Sequence, residues 1–80
     1  MAAERIKLIW DFRGPDGQMI AEHHVVHLKE YAASESLSAT VFGVEKLSEM
    51  HSIAFLVVDK SEIIQTRDAL RPHRGQIFQE

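Results

Sequence analysis

The sequence predicts one small α+β domain with a β-α-β-β-α skeleton. Three patterns carry that reading: strict alternation over Arg5 to Phe12, a helical period from Asp16 to Ser34, and a doubly apolar run from Ser52 to Asp59. Eighty residues allow a single domain, 1–80, with a thin stability margin.

In the first segment Ile6, Leu8, Trp10 and Phe12 alternate with Arg5, Lys7, Ile9 and Asp11. A period of two puts the first set on one buried face of a strand. Arg13-Gly14-Pro15-Asp16-Gly17 then supplies turn chemistry, with Asp16 placed to cap a helix. Around Leu28, at 100° per residue, Ala21, Val25 and Ala32 fall within about 60°, and His24 and Tyr31 lie equally close on the other flank. Glu22, Lys29, Glu30 and Ala33 take the far side. This is an amphipathic helix.

After the polar Ser34-Glu35-Ser36, a second strand is expected over about Ser38 to Lys46, with Gly43 marking a bulge or a close backbone approach. Leu47 to His51 is too short for a crossover, so the third strand, Ser52 to Asp59, should run antiparallel to the second. That strand is apolar on both faces, as in strands covered on both sides. Asp59 and Glu62 have capping-box spacing for a last helix, which Pro72 should end near Arg71. The tail from Gly75 to Glu80 offers a short edge strand.

Composition narrows the function. There is no cysteine, hence no disulfide and no thiolate chemistry. A net charge of −3 without a basic, aromatic-laced stripe argues against nucleic acid. No apolar run is long enough for a membrane helix, and the N-terminal residues lack a signal-peptide pattern, so a cytoplasmic protein is expected. No cofactor motif occurs: Gly14-Pro15-Asp16-Gly17 is neither a dinucleotide fingerprint nor a phosphate loop.

The element order matches the ferredoxin-like split β-α-β arrangement, a two-layer sandwich with an antiparallel sheet and both helices on one face. The other face would carry Lys7, Ile9, Asp11 and half of the third strand's apolar residues, a partner or ligand surface if exposed. At this level nearly the whole chain resembles the dimeric α+β barrel superfamily, including the runs Trp10 to Pro15 and Arg67 to Gly75. The resemblance implies a homodimer joined through the open sheet faces. Its members range from cofactor-independent monooxygenases and isomerases to haem-dependent enzymes, so fold does not give function.

Several residues are site candidates. His24 interrupts the apolar stripe of the first helix, either as a satisfied core histidine or as a general acid/base near Trp10. Asp11, on the opposite face, is either half of an ion pair, with Arg13 or a second subunit, or a ligand-orienting group. Arg67, Arg71, His73 and Arg74 either complement a helix C-terminus or hold a small anion. On this topology His51 should share their end of the sheet, with Gly14-Pro15 at the other end. His23 and His27 stand one helical turn apart, the spacing of two metal ligands, but lack a third. The expected function is therefore a homodimer that binds a small metabolite or anion. The alternatives are a small cofactor-independent enzyme using His24, and metal binding through His23 and His27.

Overall fold

A computed structural model describes residues 4–35 and 41–78. The order of elements is β1 (Arg5–Arg13), α1 (Gly17–Ser34), β2 (Val41–Ser48), β3 (His51–Asp59), a 3-10 turn (Lys60–Glu62), α2 (Ile63–Leu70) and β4 (Arg74–Ile77). The start expected for the second strand, 38–40, and the end of the tail, 79–80, lie outside the described residues. The protein is a mixed α+β fold: one open, four-stranded antiparallel sheet and two helices.

The strands lie in the order β2-β3-β1-β4. β3 is central, running antiparallel to β1 (Leu8 opposite Leu56) and to β2 (Val44 opposite Ala54). β4 closes the other edge against β1, with Ile9 opposite Arg74. This register sorts the side chains. One face carries Ile6, Leu8, Trp10 and Phe12 with Ala54, Leu56 and Val58, and these pack with Ala21, Val25 and Leu28 of α1 and with Ile63 and Leu70 of α2. The stripe read around Leu28 is this packing face.

Local chemistry fixes the joints. Gly14 has φ of +103°, a conformation that glycine adopts without the cost a side chain brings. Gly17 opens α1 so close to β1 that a Cβ would stand 2.7 Å from the Phe12 carbonyl oxygen. Asp16 precedes the helix and its carbonyl accepts from the Ile20 N–H, but its side chain makes no capping bond. The Asp59–Glu62 capping box is present, although it starts a 3-10 turn and α2 proper begins at Ile63. α2 ends at Leu70, and Arg71 comes next in the left-handed conformation, φ 49°, with its N–H on the Arg67 carbonyl. The register slip in the β2–β3 hairpin lies between Lys46 and Ser48, not at Gly43. Gly43 instead lies under the Phe55 ring, 3.1 Å from where its Cβ would be.

The face without helices differs from the sequence expectation of an exposed apolar surface. Ile9, Ile53 and Val57 are 1%, 3% and 0% exposed. Long neighbouring side chains close over this face. Lys7 Nζ sits 4.4 Å above the Phe55 ring and 3.5 Å from Glu45 Oε1. Alternation predicts which side a residue takes, but not that a lysine stem will lie flat and cover it.

Among the described residues, no helix is long and apolar enough to cross a membrane.

Candidate functional site

At one end of the helix-free face, four sequence candidates meet. Asp11 near the end of β1, His51 at the start of β3 and Arg74 at the start of β4 are neighbours because adjacent antiparallel strands bring the end of one beside the start of the next. Arg74 grips the Asp11 carboxylate through two donors, Nε to Oδ2 at 3.0 Å and Nη2 to Oδ1 at 3.1 Å. His51 Nε2 lies 2.7 Å from Asp11 Oδ1. The Asp11 backbone N–H donates to His73 Nδ1 at 2.8 Å, and the His73 N–H donates to the Ile9 carbonyl. An accepting Nδ1 leaves the proton of neutral His73 on Nε2.

Side-chain exposure is 16% for Asp11, 18% for His51 and 49% for Arg74, so the carboxylate is sheltered while the guanidinium keeps an outer edge in water. The bond from Arg74 holds the Asp11 carboxyl below its ordinary range, and His51 adds to the effect against the opposing cost of burial. Arg74 is raised in turn by Asp11. Asp11 thus finds its partners within its own chain, in Arg74 and His51, not in Arg13.

This arrangement corrects one expectation. Gly14-Pro15 lies at the same end of the sheet as the hairpin and Arg74: the Gly14 N–H donates to the Met50 carbonyl at 2.8 Å. The physical reason is the antiparallel pairing of β1 with β3, which sets Arg13 opposite His51.

The remaining candidates lie elsewhere. Trp10 is buried on the helix-covered face, and its indole N–H donates to the Leu70 carbonyl at 3.0 Å. His24 is half-buried beside it, with ring centroids 5.1 Å from Trp10 and 5.4 Å from Phe12. Its Nε2 is buried without a hydrogen-bond partner. Burial, followed by the positive charges of His27 and His73, pushes its pKa below the ordinary 6.5. Thr66 is fully buried with an equally unpartnered hydroxyl, a position the sequence pattern does not single out because α2 is too short for a clear stripe. Arg71 is exposed at the end of α2. His23 and His27 are exposed on α1, with His27 Nδ1 3.9 Å from Glu30, and no group of three metal-ligating side chains occurs among the described residues.

Two different environments result. The helix-covered face holds a neutral-leaning imidazole among aromatics. The opposite face holds an imidazole tied to a carboxylate, which fixes the orientation of its ring. Protein-family models, curated proteins and solved structures provide no match to this chain.

Proposed function

We propose that the chain works as a homodimer of ferredoxin-like subunits joined through their helix-free sheet faces, with a small polar ligand held near the Asp11 end. The observation that carries this reading is the one-sided layering of the sheet. Both helices pack on the Trp10 face, while Ile9, Ile53 and Val57 are closed on the other face by single side chains rather than by a second layer. Domains complete such a face with another packed element.

Charge on that face favours a second copy of the chain as the element. Arg5, Lys7, Arg13 and Arg74 are interspersed with Asp11, Glu45 and Asp59, so neither sign dominates and a two-fold partner meets complementary charges. The β2-β3-β1-β4 order, with β3 between two strands that run parallel to each other, supports the ferredoxin-like topology.

Light scattering on the full chain tests the proposal. The expected mass is twice 9.1 kDa, falling to one subunit in Phe55→Glu with the circular dichroism unchanged. A single-subunit mass across the micromolar range for the unmodified protein would overturn it.

A second reading, a small cofactor-independent enzyme with His24 as general acid/base, draws support from the unpartnered Nε2 of that ring. It requires that His24→Gln lose turnover while keeping the fold.

A further inference from the structure

Dimerisation does not account for His51. A bidentate Arg74 alone would satisfy the Asp11 carboxylate as a structural ion pair. The cluster adds a titratable ring on the same oxygen, Oδ1, that Arg74 Nη2 uses, so imidazole and guanidinium stand side by side. With Nε2 bound to Asp11, His51 Nδ1 has no partner among the described residues. A carboxylate on one nitrogen fixes the tautomer and steadies the charge that appears when the other nitrogen takes a proton.

The surroundings define what could approach. Arg13 lies directly opposite His51 in the β1–β3 register, on the same face, exposed and without an ion partner among the described residues. Arg74 keeps guanidinium N–H groups beyond the two that Asp11 uses. The Asp11 charge is balanced by Arg74, so Arg13 leaves the cluster with a net positive charge while His51 is neutral. The Lys46–Glu49 pair beside the hairpin turn cancels itself.

We propose that His51 is a general base that moves a proton on a small carboxylic acid whose C–H is acidified by an adjacent carbonyl, with Asp11 as its positioning residue. Nδ1 takes the proton from that carbon, the C–H electron pair becomes a carbon–carbon double bond, and the carbonyl π pair moves to oxygen as an enolate. Return of the proton from Nδ1 to carbon regenerates the base. Nothing is oxidised or reduced, and no co-reactant is consumed. Arg13 meets the substrate carboxylate, and the outer edge of Arg74 meets the charge developing on oxygen.

The test is exchange of the methyl protons of pyruvate in D2O, monitored by proton NMR with the full-length chain. Exchange is expected to exceed the buffer rate by about a hundredfold, in the usual range for a positioned base. His51→Gln should return it to the buffer rate with circular dichroism unchanged. Arg13→Ala should raise KM more than it lowers kcat. Asp11→Asn should lower kcat more than it changes KM, a split that loss of a purely structural ion pair would not produce. Exchange no faster than buffer, or full exchange in His51→Gln, would overturn the proposal. Subunit mass measured on the same samples keeps this outcome separate from dimerisation, since an active monomer would retain the base and remove the dimer.

Discussion

The indole N–H of Trp10 donates to the carbonyl of Leu70 at 3.0 Å, joining the middle of β1 to the last residue of α2. The last carbonyls of a helix have no partner inside it, and here a strand side chain supplies one. Trp10→Phe keeps most of the apolar surface but leaves that part-buried carbonyl without its donor. The expected loss is about 1–3 kcal/mol in urea unfolding. A change within about 0.5 kcal/mol, typical of uninvolved surface positions, would show that the bond is idle.

Asp11 predicts the acid behaviour of the fold. Arg74 holds its folded-state pKa below the unfolded value, so the stabilisation is complete above the unfolded pKa and disappears as pH falls through the folded one. Unfolding free energy should therefore decline below about pH 4, where an unperturbed aspartate titrates. In Asp11→Asn the decline should be shallower. Parallel curves for the two proteins would sink this assignment.

His24 has the opposite sign. It is a base whose folded pKa is lowered, so the unfolded chain binds the proton more readily and stability falls as pH drops below the ordinary 6.5. His24→Leu removes both this penalty and the unpartnered Nε2. It should raise the urea midpoint, with the gain widening from pH 7 to pH 5. Loss of stability in that variant would mean that His24 is satisfied by a water or ligand.

Glycine at position 17 is required by space. Replacing a helical glycine with alanine ordinarily gains about 0.4–1 kcal/mol where the conformation permits it. At Gly17 the new Cβ would stand 2.7 Å from a backbone oxygen, and neither β1 nor α1 can yield cheaply. Thermal unfolding of Gly17→Ala should show a lower midpoint; an unchanged or higher one would show that the junction relaxes.

Much of the fold is legible locally. The alternation of Ile6, Leu8, Trp10 and Phe12 gives the buried face of β1, and the wheel around Leu28 gives the packing side of α1. The site is legible only in part. Asp11, His51, His73 and Arg74 are each conspicuous, but Asp11 and Arg74 are 63 residues apart and their meeting depends on β4 docking against β1. The expectation that Gly14 lies at the other end fails because β1 runs antiparallel to β3, so the end of β1 and the start of β3 share one end of the sheet. The closed helix-free face is equally out of reach, since it depends on where the Lys7 stem lies over Phe55.

The separations around Asp11 also have a kinetic meaning. Its side-chain partners are 40 and 63 residues away, so their loops must close before either bond returns any energy. The clasp therefore belongs to the late side of the folding barrier. Its loss would hasten unfolding and leave the refolding rate nearly untouched. Asp11 is a latch on the finished molecule, setting how long the native state persists rather than how quickly it is reached.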